Sequence, residues 1–220
     1  MPLGNDISLI AVLAFSTLLP FLIACGTCYI KFSIVFVMVR NALGLQQIPS
    51  NMTLNGIALI MSFFVMMPVM KKGYEEITLV GGPNPTVESV SYVFENGLDS
   101  YRDYLYKYSD PDIVRFFENA QTQRNEYYDM EEEERMSLLS LLPAYALSEI
   151  KSAFKIGFYL YLPFVVIDLL ISSILLSLGM MMMSPITISV PIKLILFVVL
   201  DGWTLLSKGL IQQYLELAIG

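Results

Sequence analysis

The sequence predicts an all-α protein made of kinked apolar helical hairpins, with a small acidic helical region between them. Three observations predict this fold class. Hydrophobic residues make up 55% of the 220 residues, and the mean hydropathy of +0.62 exceeds that of ordinary soluble domains. Long apolar runs are interrupted by Pro and Gly, and most of the charge lies in one internal block. This pattern indicates a membrane-associated protein.

The charge distribution divides the chain into three regions. Residues 71–137 carry 15 acidic and 7 basic side chains, an excess of 8 negative charges in a chain of net charge −7. We therefore expect an N-terminal hydrophobic hairpin over 1–70, a water-exposed acidic region over 71–137 and a C-terminal hydrophobic hairpin over 138–220. The acidic balance excludes a nucleic-acid footprint. With no His and two Cys, we expect no metal site and no cofactor.

The first apolar segment, Ile7–Ile30, is long enough to cross a bilayer. Pro20 and Gly26 interrupt it, so we expect a kinked or split helix. The next apolar piece, Phe32–Val39, is too short to span a membrane alone.

A polar turn over Asn41–Asn55 separates these segments from the next predicted helix, Met52–Met67. Ser50 or Asn51 can cap the start of that helix. Pro68 is expected to end it, because proline lacks the backbone N–H that continues a helix.

Turn and amphipathic signals organise the acidic region. Gly81–Pro85 predicts a loop, and Val87–Phe117 predicts one or two amphipathic helices. The second of these is expected to start with Asp110 as the cap and Pro111 at the first helical position. Tyr127–Glu134 ends in four glutamates and is expected to be a mobile, solvated run.

Apolar character resumes over Leu138–Ile150. Gly157–Leu178 is predicted to be a long helical segment broken by Pro163, and Ile186–Leu206 to be the last segment. The last segment contains Pro191.

Four consecutive methionines, Met180, Met181, Met182 and Met183, lie between the last two segments. Gly179 before them and Pro185 after them predict a turn. Unbranched thioethers can seal against many shapes, which indicates a deformable seal. Composition alone equally allows a hydrophobic loop that packs against a neighbouring subunit or lipid.

Charged residues inside or beside apolar segments are costly in hydrocarbon unless they face protein or water. We expect ion pairing between subunits in preference to a proton relay, because His and clustered carboxylates are absent from these segments. An uncharged residue at Lys193 or Asp201 is therefore expected to impair assembly. The candidate residues are Glu149, Lys151, Lys155, Asp168, Lys193, Asp201 and Lys208.

The short loop after the first segment carries Lys31 and Arg40, whereas the long loop is acidic. The positive-inside rule then places the short loop in the cytoplasm and the 71–137 region outside it.

Cys25 and Cys28 are spaced as a C-x-x-C pair, but they lie in an apolar run with no βαβ pattern around it. Packing as small buried hydrophobes is therefore favoured over a thiol redox function.

Eight ordered motifs run through the chain: Thr17–Phe21, Val39–Gln47, Phe64–Pro68, Leu142–Lys151, Phe154–Phe158, Leu162–Phe164, Gly179–Pro185 and Phe197–Trp203. Together they resemble the FliP/SctR family, which is the R subunit of the type III secretion export apparatus. The match covers nearly all of residues 5–215 except the acidic insert, and the sequence of the Met run and its flanks is similar to that of the invasion-type systems of enteric pathogens.

This resemblance implies a homopentamer that joins S and T subunits in a protein-conducting pore, with the U subunit and the inner rod as further partners. The pore would gate the passage of unfolded effector and needle proteins. The family's methionine-rich loop is a gasket in the lumen, which here matches Met180–Met183. The chain is expected to be a multipass inner-membrane protein that contacts lipid, and its assembled complex would be displaced toward the periplasm. The acidic region would be periplasmic.

Conduction rather than catalysis is expected, because the sequence shows no nucleophile with a base and no phosphate-binding glycine loop. A proton-coupled secondary transporter or carrier is the alternative. It predicts an internal repeat, which is not evident.

Overall fold

The computed structural model describes residues 13, 16, 17, 20–80, 99–125, 137–180 and 182–215. Across these residues all regular structure is helical, which confirms the predicted all-α class. The helices are α1 Pro20–Gly26, α2 Tyr29–Ala42, α3 Asn51–Val80, α4 Asp99–Tyr108, α5 Pro111–Asn125, α6 Leu138–Ser177, α7 Pro185–Val199 and α8 Gly202–Leu215.

The chain divides into two compact units, each with its own buried residues. The first falls within Met1–Ile30 and Met66–Glu149, and its core includes Leu105, Leu141 and Tyr145. The second falls within Lys31–Val65 and Ile150–Gly220, and its core includes Phe32, Phe36, Leu54 and Leu210. Helices α3 and α6 each contribute one part to each unit. The three regions inferred from charge separate residues expected in water from residues expected in a membrane, whereas the two units are defined by packing. The three-region division therefore stays a prediction.

The predicted break in the first apolar segment is confirmed: α1 and α2 meet at a bend of 76°. The Thr27 hydroxyl donates to the Ile23 carbonyl at 2.6 Å and accepts from the Tyr29 N–H at 3.3 Å. It thus satisfies one backbone group on each side of the break. The predicted end of the segment at Ile30 is wrong, because the chain re-enters helix at Tyr29.

The turn between α2 and α3 is closed by backbone hydrogen bonds at the end of α2 and by a cap at the start of α3. The Gly44 N–H bonds the Asn41 carbonyl at 3.0 Å and the Leu45 N–H bonds the Arg40 carbonyl at 3.2 Å, which is a Schellman motif with Gly44 at φ +79°. The predicted cap by Ser50 is confirmed, since its Oγ accepts from the Thr53 N–H at 3.2 Å.

Two predicted proline breaks are wrong. Helix α3 passes through Pro68 to Val80, and α6 runs 40 residues through Pro163 and joins two segments predicted to be separate. A proline removes one helical hydrogen bond, whereas ending the helix exposes up to four carbonyls and four N–H groups. In apolar surroundings, where water cannot satisfy those groups, the single lost bond costs less.

The start of α5 is confirmed at Pro111, where the Asp110 carboxylate accepts from the Asp112 N–H at 3.0 Å. The predicted end at Phe117 is wrong, because α5 continues to Asn125. The expected loop at Gly81–Pro85, the expected mobile run at Tyr127–Glu134 and residues 87–98 of the amphipathic segment lie outside the described residues.

Two helices are long and apolar enough to cross a membrane: the Asn51–Glu75 part of α3 and the Ser140–Ser177 part of α6. The number rises to four if two bent pairs of helices, α1 with α2 and α7 with α8, each count as one span. Helices α7 and α8 meet at 59°. In the most apolar windows of α3 and α6 only 28% and 17% of residues are buried within the chain. Most of this apolar surface is therefore not covered by the chain itself.

Candidate functional site

The described residues of the methionine run, Met180, Met182 and Met183, lie in the turn between α6 and α7, as predicted. The Gly179 N–H bonds the Leu176 carbonyl at 3.1 Å and the Met180 N–H bonds the Leu175 carbonyl at 3.0 Å. With Gly179 at φ +73°, these bonds form a second Schellman motif that ends α6. Helix α7 restarts with Pro185 in its first turn, where a missing N–H costs nothing.

The described methionine side chains of this loop are open to the surroundings. Met182 is fully exposed, and Met180 and Met183 are 44% and 45% exposed. Met181 lies outside the described residues. The loop therefore presents flexible thioethers at the tip of a helical hairpin, where they can contact another surface.

A buried lysine joins three helices of the second unit. Lys193 of α7 is 4% exposed, and its Nζ donates to the Asp168 Oδ2 of α6 at 2.5 Å and to the Ala42 carbonyl at the end of α2 at 3.2 Å. The Asp168 side chain is 40% exposed and keeps contact with the surroundings. The buried ammonium thus has a charged partner and a backbone partner, as a buried charge requires.

The Ala42 contact completes the hydrogen bonding at the end of α2. The carbonyls of Val39, Arg40 and Asn41 accept from backbone N–H groups of the turn. Ala42 has the next carbonyl, and it accepts from Lys193. A cation at this end also interacts favourably with the helix dipole.

A cluster of tyrosines lies in the first unit, and the sequence analysis did not identify it. The Tyr104 and Tyr145 hydroxyls are 2.5 Å apart, and both residues are buried. Nearby, the Ser148 Oγ accepts from the Asp110 N–H at 2.8 Å, so the turn between α4 and α5 is fixed to α6. The Tyr101 hydroxyl donates to the Gly26 carbonyl at 2.8 Å, at the end of α1. These contacts attach α4 and α5 to the apolar helices.

The electrostatics of this cluster give a testable pH dependence. Burial raises the pKa of Tyr101 to about 12 and also raises the pKa of Tyr104, which burial and the nearby Cys28 and Glu149 hold in its protonated form. Between pH 10 and about 12 the folded chain then binds more protons than the unfolded chain, so stability falls as pH rises through this window.

We expect the near-ultraviolet circular dichroism of the detergent-solubilised chain to be lost across this pH window. Tyr101→Phe should make the loss smaller, because the Phe cannot ionise. Tyr106→Phe is the matched control, since Tyr106 is 52% exposed. An alkaline transition that is identical in wild type and Tyr101→Phe would contradict the assignment.

Comparison with known proteins decides the family. The FliP family model matches residues 12–210 of this chain.

The chain belongs to the FliP family.

The sequence similarity to known relatives extends over nearly their full lengths. The surface presentation of antigens protein SpaP of Salmonella typhimurium is 66% identical over 98% of this chain and 100% of that protein. SpaP of Shigella flexneri is 64% identical over 97% of this chain and 98% of its own length. The Yop proteins translocation protein R of Yersinia pestis is 47% identical over 96% of this chain and 98% of its own length.

These relatives confirm the resemblance to the invasion-type secretion systems of enteric pathogens. This FliP-family chain is a membrane protein of a type III secretion export apparatus, and it works as a subunit of a complex in protein transport and virulence. It is a structural component of that apparatus.

The structure distributes the charged candidates over both units. Asp168 and Lys193 come together within one chain, whereas the expected ion pairs were between subunits. Glu149 is 1% exposed and lies in the first unit near Tyr104. Lys151, Lys155, Asp201 and Lys208 are exposed. Their participation in subunit contacts stays a prediction.

Cys25 and Cys28 form no disulfide; Cys25 is exposed and Cys28 is fully buried. The packing interpretation therefore fits Cys28 but not Cys25. Among the described residues, no three His, Cys, Asp or Glu side chains are placed to hold a metal ion.

Proposed function

We propose that five copies of this chain assemble with S and T subunits into the protein-conducting pore of the export apparatus. Met180–Met183 of each copy would form a gasket around the lumen. The exposed methionine loop at the tip of the α6–α7 hairpin carries this proposal. A ring of such loops can close on water and ions, and it can yield to an unfolded effector or needle protein because thioethers are flexible.

The open apolar surfaces support assembly. With only 17% of the α6 window buried in the chain, most of that helix needs lipid or another subunit around it. Contacts with further copies, with S and T, and with the U subunit and the inner rod would cover this surface. Membrane lipid would cover the remainder.

The length of α6 supports displacement of the assembled complex toward the periplasm. Its 40 residues extend about 60 Å, roughly twice the hydrocarbon thickness of a bilayer. Part of this apolar helix therefore needs protein around it above the bilayer plane. In the same arrangement residues 71–137 would form an acidic periplasmic region between hydrophobic hairpins over 1–70 and 138–220.

The gasket is tested by replacing Met181, Met182 and Met183 with alanine. We expect assembly to be retained and ion leakage per assembled complex to rise, because shorter side chains leave the lumen open. Leakage would be followed as loss of membrane potential, and assembly by native gel electrophoresis.

The control replaces three exposed methionines of α3, Met52, Met67 and Met70, with alanine. This control makes the same number of Met→Ala substitutions, but at positions outside the loop. Wild-type leakage in the Met181–Met183 variant would contradict the gasket and favour simple packing of the loop.

A further inference from the structure

Helices α6 and α7 are the two arms of the hairpin that carries the methionine loop, and they contact each other at a defined distance from that loop. The Phe164 ring of α6 lies 6.5 Å from the Phe197 ring of α7. Four residues closer to the loop on each arm, Asp168 pairs with Lys193. Both contacts follow one antiparallel register, and the ion pair is the one nearer the loop.

Between this ion pair and the loop, Ile171 and Leu175 of α6 are buried, but other apolar side chains of both arms are exposed. Leu169, Ile174 and Leu176 of α6 and Ile186 of α7 are 57–64% exposed. The ion pair lies eight or nine residues from the helix ends at Pro185 and Ser177, which corresponds to about 12–14 Å along each axis. Because the loop lies this far from the ion pair, a small change in the angle between the arms would displace the methionines by a larger distance than the residues at the pair.

Lys193 also fixes this level of the hairpin to α2. Its Nζ bonds the Ala42 carbonyl at 3.2 Å, and Gly44 allows the end of α2 to approach Val190, one turn earlier on α7. A Cβ on Gly44 would lie 2.6 Å from the Val190 Cγ2. The close approach and the hydrogen bond together hold α7 at a fixed distance from α2.

We propose that Asp168 and Lys193 are positioning residues for the methionine gasket: their ion pair sets the angle of the α6–α7 hairpin and so places Met180–Met183. This inference rests on the gasket proposed above. The pair would act on the methionines through the two helical arms that carry it.

The test removes both charges together, with Asp168→Asn and Lys193→Met in one chain. Since neither partner is then left as an unpaired charge, assembly is expected to be retained. Without the ion pair the arms lose their fixed spacing. We expect ion leakage per assembled complex to rise several-fold, in the direction of the Met181–Met183 alanine variant. A role limited to avoiding an unpaired buried charge would leave leakage at the wild-type level.

The matched control is Asp112→Asn with Lys107→Met, the same two substitutions at exposed positions of the first unit. Asp168→Asn alone is the second variant: the Asn oxygen can still accept a hydrogen bond from Lys193, but the buried ammonium then lacks an anion, so less complex is expected to assemble and leakage is compared per assembled complex. It should leak less than the double variant.

The outcomes separate the two proposals. If the methionine variant does not leak, the gasket itself is wrong. If the methionine variant leaks but the assembled double variant behaves as wild type, the positioning role is overturned and the gasket stands. If the double variant does not assemble, the leakage of assembled Asp168→Asn is compared with wild type instead, and wild-type leakage overturns the positioning role. Failure of both variants to assemble also overturns it.

Discussion

Lys193→Met alone is expected to abolish assembly of the export complex. The substitution leaves the Asp168 carboxylate in an apolar helix without its cation, and it leaves the Ala42 carbonyl at the end of α2 without its donor. Removing one member of a buried pair typically costs about 3–5 kcal/mol. The Asp168 side chain is 40% exposed and partly solvated, so we expect the lower end of that range.

Native gel electrophoresis of the solubilised complex measures this effect, with the thermal unfolding of the chain alongside. Lys72→Met is the control, since Lys72 is exposed on α3. The double variant with Asp168→Asn should recover assembly, because both charges are then absent. Normal assembly of Lys193→Met would show that the ion pair contributes little.

Gly44→Ala is expected to give the second large effect, a loss of folding stability in the second unit. Gly44 lies at φ +79°, where an L-residue costs about 1–2 kcal/mol. Its new Cβ would also lie 2.6 Å from the Val190 Cγ2, closer than carbon atoms approach without displacement. Strain and overlap act together at this position.

Two other glycines separate these contributions. Gly179 has φ +73° and nothing within 4 Å of an added Cβ, so Gly179→Ala should show strain alone. Gly56 is inside α3 with open space around it, so Gly56→Ala should stabilise by about 0.5–1 kcal/mol.

Thermal unfolding in detergent should therefore rank the three variants with Gly44→Ala lowest and Gly56→Ala highest. Adding Val190→Ala to Gly44→Ala should recover the part caused by overlap. Equal stability of Gly44→Ala and Gly179→Ala would refute the close approach of α2 and α7.

Local chemistry in the sequence was enough to predict several elements. Asp110 and Pro111 start α5, Ser50 caps α3, and Gly179 with Pro185 makes the methionine run a turn. These signals were sufficient because each depends on residues within a few positions of one another.

The proline positions were misleading for the opposite reason. Helices α3 and α6 continue through Pro68 and Pro163, where breaks were predicted, and α7 likewise continues through Pro191. Helices α1, α2 and α6 instead end at or near Gly26, Gly44 and Gly179, where a threonine hydroxyl or a Schellman motif satisfies the free backbone groups. Whether a proline ends a helix depends on what can replace its hydrogen bonds, and in apolar surroundings water cannot.

The composition and motifs of the sequence by themselves determined the class, the family and the methionine turn. Only the tertiary structure decided that Lys193 pairs with Asp168 and also bonds Ala42, 151 residues away in the chain. It alone brought Tyr104 of the acidic region to Tyr145 of an apolar helix. The physical reason is that a buried charge or hydroxyl must find a partner, while the identity of that partner depends on which helices pack together.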